Sequence, residues 1–263
     1  GKGASATLGS NGGNASASLA GVNSKANIAV AIADATGSAK VISANLILTG
    51  ALTVNSKGDS YAKAVVNGDD FTGGAVGIGV NELYAYAKGG FNATAGGNIS
   101  ASSITIDSNY KVNANAVSAQ PNGGAKLELA TIQGNIAYAE TDASSTAGID
   151  GAGTIATGAL SATANATAKA TAEIQGVNLS ITGVNLAVNV VTAVVNGTQK
   201  AIVRGATVSA SSVSVRSYFN IGSSTENYAA TAVVGSNGGA SVGIVGGNTS
   251  SAKASVTAKV SSE

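Results

Sequence analysis

Along most of the chain, apolar and polar residues alternate one for one. The clearest runs are 75–80 (Ala-Val-Gly-Ile-Gly-Val), 104–106 (Ile-Thr-Ile), 213–215 (Val-Ser-Val) and 255–260 (Ser-Val-Thr-Ala-Lys-Val). A period of two places successive side chains on opposite faces, so each run predicts a β-strand with one face buried. Valine, isoleucine and threonine suit a pleated surface, and Asn-Gly pairs at 67–68, 122–123 and 196–197 punctuate the runs as turns. The alanine-rich stretch 162–174 has the composition of a helix. Its strict alternation of Ala with Thr, Asn or Lys favours strand, because a helix would scatter those polar residues around its whole surface. Taking the larger aliphatics as the buried set predicts that Val76, Ile78, Ile104, Ile106, Leu127, Leu129, Leu186, Val188, Val213, Val215, Val242 and Ile244 point inward.

The runs recur. GSNGG stands at 9–13 and again at 235–239, 226 residues later. Gly-Gly or related words between them place equivalent glycines at Gly13, Gly74, Gly124, Gly183 and Gly239, in steps of 61, 50, 59 and 56. A second landmark, a short apolar/hydroxyl alternation, makes Leu52, Ile104, Leu160 and Val213 equivalent, in steps of 52, 56 and 53. A fainter one aligns Tyr61 with Tyr228. The chain therefore reads as degenerate repeats of about 56 residues. The units fall roughly at 13–73, 74–123, 124–182 and 183–238, with a partial unit at 239–263.

Strands at a long fixed period suggest a stacked array. A propeller blade usually carries a periodic aromatic signature, absent here. An all-β parallel β-helix, a β-solenoid, fits better: each residue is covered by its neighbours one coil above and below, and small or β-branched residues fill the interior. Three coils of about 18–20 residues per unit give about 13–14 coils and a rod of about 65 Å at ~4.8 Å per coil. An Asn repeated at one corner of successive coils could stack into a hydrogen-bonded ladder.

Composition sharpens the picture. Of 263 residues, 36 are Gly, one is Pro, and there is no Cys, Met, Trp or His. Charged residues are 10% and the formal net charge is +1, so nothing electrostatic points to nucleic acid or anionic lipid as partner. Disordered chains combine low hydrophobicity with high net charge, and this one has neither. No apolar run approaches the ~18 residues of a membrane span, and no signal-peptide pattern opens the chain. With no initiator Met, the sequence is expected to be a processed product or a piece of a longer polypeptide.

The succession GGA-x-V-G-I-x, then A-K-A-x-V, then G-A-T-V-S-A-S-S-V-S-V-x-S resembles the repeat regions of giant filamentous haemagglutinin-like and leukotoxin-like bacterial adhesins. These are exported by autotransporter or two-partner routes. The similarity is clearest at 183–263 and 73–108. It implies a right-handed parallel β-helix, extracellular or cell-surface display, and a role as stalk or adhesive filament. It carries no catalytic motif with it.

Without His and Cys, a Ser-His-Asp triad, a thiol nucleophile and an imidazole or thiolate metal site are all excluded. Carboxylates remain: Asp69 with Asp70, which could converge only in a turn, and Glu140 with Asp142. Asn67, Asp69 and Asp70 form a weak oxygen cluster of the kind calcium prefers. The glycine-rich 77–82 lies in a strand with no helix following, so it is no phosphate loop. Tyr84 and Tyr86 share one strand face, with Tyr138 as the similar position one unit on. Together they form a candidate contact strip for a ligand or a neighbouring rod, or a simple cover for a coil flank. No catalytic residue, cofactor or metal is assigned.

The expectation is thus a non-enzymatic structural and adhesive segment of a secreted surface fibre, acting by reach and multivalent contact. Its partners would be further solenoid, from the same chain or from head-to-tail copies, and surface glycans or proteins. One alternative is a flat-face binder such as an ice-binding β-helix, using Thr53, Thr105, Ser161 and Ser214. Those positions mix Thr with Ser and recur per unit rather than per coil, which weakens it. A polysaccharide-active β-helix enzyme is the other.

Overall fold

The computed structural model describes all residues except 1, 10–13, 18–20, 68–69, 121–124, 177–178, 221–228 and 236–240. The described residues form nine β-strands in one parallel sheet that winds as a β-solenoid. In order they are β1 (Lys2–Gly9), β2 (Asn14–Ala17), β3 (Val22–Ile47), β4 (Ala51–Asn67), β5 (Asp70–Gln120), β6 (Ala125–Gly176), β7 (Leu179–Phe219), β8 (Ala230–Gly235) and β9 (Ser241–Ser262).

One repeat makes one coil. Val22 pairs with Val76, Val76 with Ala130, and Ala130 with Val184, each a step of 54 residues. Leu52, Ile104, Leu160 and Val213 are successive partners, as the second landmark requires. The expectation of three short coils per unit is therefore wrong. Five rows stand where 13–14 coils were expected, so the stack is about 19 Å high at ~4.8 Å per row, not about 65 Å. The glycine landmark also shifts, since Gly74 pairs with Glu128 rather than with Gly124. Tyr228 lies outside the described residues, and Tyr61 stacks on Asn113.

Each coil is flattened into two walls. The long wall comprises β3, residues 70–100, 125–155 and 179–208, and β9. The short wall comprises β1, β4, residues 103–120, 159–176 and 213–219, and β8. Between them the chain bends at glycines. Gly97 has φ 95° and Gly205 φ 76°, and a methyl group on Gly97 would overlap the Ser43 carbonyl. Register shifts at Ser43/Leu46, Ala95/Ile99 and Asp150/Gly153 mark the same bend row after row.

The interior between the walls is built of alanine. Ala29, Ala31, Ala33 and Ala35 of the long wall are buried with Ala62 and Ala64 of the short wall, and the pattern repeats at Ala85, Ala87, Ala114 and Ala116. Facing methyl groups let two sheets approach closely, which leaves little room for larger residues. Where a ring does enter, the opposing positions are glycine. Phe91 packs on Tyr110 with ring centroids 4.9 Å apart, and its ring fills the space over Gly37 and Gly58. Cross-wall hydrogen bonds tie the layers: Ser60 donates to the Ala33 carbonyl (3.1 Å), Ser108 to Phe91 (2.6 Å) and Tyr110 to Lys88 (2.7 Å).

Much of the inward set is reversed by this arrangement. Ile104 and Ile106 are fully buried and Val215 packs on the same cluster. Val76 is half-buried. Ile78, Leu129, Leu186 and Val188 are exposed instead, whereas Val213 keeps the inward parity of its partner Leu160 and is exposed because no described strand covers that stretch on its other side. In the long wall the narrow interior takes the small member of each alternating pair, and the large aliphatic turns outward. Nothing is described of the side chains of Leu127, Val242 and Ile244.

Candidate functional site: the outer face of the long wall

Because the period is two and the rows are in register, each outward position of the long wall becomes a column across rows. Val30, Tyr84, Tyr138 and Thr192 form one column; Ile32, Tyr86, Glu140 and Val194 form the next. Tyr138 is thus the partner of Tyr84, and the Ala-Tyr-Ala words at 85–87 and 137–139 are offset by two residues. The candidate strip Tyr84, Tyr86 and Tyr138 is nevertheless brought together. Tyr84 and Tyr86 are parallel within 1° at 6.4 Å, and Tyr138 lies 6.4 Å from Tyr84 and 5.6 Å from Tyr86. All three rings are half-buried on the outside of the wall.

Charge is woven into this cluster and largely answered within it. The Tyr138 hydroxyl donates to Glu140 (2.9 Å) and Tyr84 makes a longer contact to Glu82 (3.4 Å). Lys88 stands 3.7 Å from Glu140 and 5.5 Å from the centre of the Tyr86 ring. Burial, helped by the Glu140 hydrogen bond and charge, pushes the Tyr138 phenol up to about 12. Burial, with Glu82 beside it, also raises Tyr84. Asp142 sits one column beyond Glu140 on the same exposed face, between Lys88 and Asn196. Two carboxylates are therefore neighbours, with Glu140 engaged by a cation and a phenol.

Away from the rings, the same face is aliphatic. The column Ile78, Ile132, Leu186 runs beside Val80, Val188 and beside Ile28, Ile136, Val190. Sequence reasoning missed this surface because it placed several of these residues inside. The signal was the alanines: in AVAIADA (29–35) every second residue is Ala, and that is the set a narrow interior accepts.

On the inner side of the same segment runs an amide ladder. Asn27 donates to Asn81, Asn81 to Asn135 and Asn135 to Asn189, each at 2.8 Å, and Asn189 reaches Ser250 at 3.4 Å. The expected Asn stacking is present, within a wall rather than at a corner. On the outer face of the short wall, Thr53, Thr105, Ser161 and Ser214 occupy consecutive rows.

Of the calcium candidates, Asn67 ends β4 on the surface. Asp69 lies outside the described residues, and Asp70 is described only as the first residue of β5. Among the described residues no group of three or more acidic side chains is placed to hold a metal ion. No family model, curated protein or solved structure matches the chain.

Proposed function

We propose that the chain is a structural and adhesive segment of a long secreted surface fibre, working by multivalent contact along its faces and without a catalytic step. The observation that supports this most is the register: the same outward columns repeat row upon row at one rung spacing. A ligand-contacting face built this way extends as far as rows are added. Further rows would come from the same polypeptide or from copies stacked end on. The one-repeat coil adds a physical qualification. Each repeat adds only ~4.8 Å of height, so the fibre gains breadth of face more than reach. The experiment is electron microscopy and fibre diffraction on native material, with binding to cell surfaces measured in parallel. Continuous ribbons with an axial repeat of about 4.8 Å are expected. Discrete closed particles about 19 Å high that bind no surface would sink the proposal.

One observation favours a second reading, a flat-face binder of the ice-binding kind. Thr53, Thr105, Ser161 and Ser214 are adjacent rungs, so the column recurs once per coil, although it still mixes Thr with Ser. Thermal hysteresis in dilute solution, lost on Thr105→Leu, would establish it. Its absence would leave the adhesive reading alone.

A further inference from the structure

We infer that the outer face of the long wall is a pairing surface for a second copy of this chain, wall against wall. The face spans the outward positions from Val22 to Ile32 and their partners in three further rows. Ten residue steps by four rows give roughly 33 Å by 14 Å, or about 480 Å² in plane. That lies within the range of the largest apolar patch on a free protein, about 300–600 Å², patches that are often functional. Its accessible surface, with side chains standing on it, approaches the ~800 Å² per partner of a stable interface.

The chemistry selects the occupant. A glycan needs free donors and acceptors beside aromatic rings. Here Glu140 is already engaged by Tyr138 and Lys88, while Glu82 has the longer 3.4 Å contact from Tyr84. Polar groups satisfied in this way can be covered at little further cost, because what penalises burial is an unpaired charge or hydrogen-bonding group. Ile32 is 63% exposed, Val188 50% and Leu186 46%. Around the tyrosine cluster they present a pleated aliphatic surface, whose natural complement is another such sheet packed about 10 Å away. A second copy supplies one with the same dimensions. The charged column Asp34, Lys88, Asp142 bounds the patch on its far side and carries both signs, so it can meet its own image.

This pairing is lateral and independent of end-on growth. The test is sedimentation equilibrium of the whole chain, with Ile32→Lys, Leu186→Lys and the milder Ile32→Thr, and circular dichroism melts as the folding control. The native chain is expected at twice its 25.0 kDa mass. The Lys variants should fold, melt as the native chain does, and dissociate at least ~10-fold more readily, because an unpaired charge is then buried in the contact. Ile32→Thr, which keeps the strand propensity, should weaken pairing less. A native chain that stays single at about 100 μM, a concentration at which even a Kd of 100 μM pairs a large share of chains, overturns the inference. So does a mass that grows without limit and ignores these substitutions, which reports end-on stacking. A single chain that binds a glycan panel and loses binding on Tyr86→Ala would assign the face to carbohydrate instead, and overturns it equally.

Discussion

Asn135 occupies the middle of the amide ladder, accepting from Asn81 and donating to Asn189. Replacing it by Ala strands a donor above and an acceptor below in a partly buried position. We expect Asn135→Ala to cost about 1–3 kcal/mol, the penalty of unsatisfied polar groups, and Asn27→Ala at the ladder's end to cost less. Urea unfolding of the two variants measures the difference; equal midpoints would show that the ladder adds nothing beyond turn-compatible residues. Phe91 supplies a second case. Its ring fills the room left by Gly37 and Gly58, so Phe91→Ala should cost about 3–5 kcal/mol through a cavity between the walls. Gly58→Ala alone should also destabilise, by overlap with the ring, yet be far better tolerated once Phe91 is Ala. That coupling is read from the double-mutant cycle. At this scale the sequence misled in one respect. Alternation shows which residues share a face but not which face is inside, and hydrophobicity alone assigned Leu186 and Val188 to the interior. The deciding quantity is the gap between walls, set by residues such as Ala31 of the long wall and Ala64 of the short wall, which are buried in one cluster.

The walls themselves were legible, because period two leaves little choice but strand. Their pairing was legible too through Leu52, Ile104, Leu160 and Val213. What could not be read was how many bends a repeat contains. Gly96-Gly97-Asn98 marks the bend, but similar words also stand where there is none, as Asn196-Gly197 does inside β7, so glycine and asparagine alone do not separate one long coil from three short ones. The long wall also predicts a pH response. The Tyr138 phenol is raised to about 12 from the ordinary 10.0. A group whose pKa is higher in the folded state stabilises fully below its unfolded value and loses that contribution as pH rises through the folded one. Stability should therefore fall between about pH 10 and 12. Absorbance at the tyrosinate band should show a late component near 12 that vanishes in Tyr138→Phe. A late component that persists in Tyr138→Phe would contradict the burial and the Glu140 contact assigned to this phenol. At the bend, Asp150 and Arg204 form a two-point pair between rows (2.8 and 3.1 Å), and the Arg204 hydrogen bond holds the Asp150 carboxyl below its usual range. Its small contribution is present above the ordinary carboxylate pKa and lost as pH falls through the lowered one.

For the whole molecule, the pairing of residues more than fifty positions apart has a kinetic consequence. Nearly all the backbone ladder joins residues 52–61 apart. No hairpin or helix can form early and wait for the rest. Cross-wall contacts such as Ser108 to Phe91 span 17 residues, but the first ladder bond between rows must close a loop of about 54, roughly 1 kcal/mol dearer in chain entropy than an 18-residue loop. Non-local topologies of this kind fold slowly. Once two rows are zipped, however, their edge is a template on which the next repeat can lay down residue by residue. Refolding from urea should accordingly show a lag followed by cooperative growth, and the lag should disappear when pre-folded chain is added as seed. A chain delivered gradually from one end would meet that template one row at a time, and would never face the search as a whole.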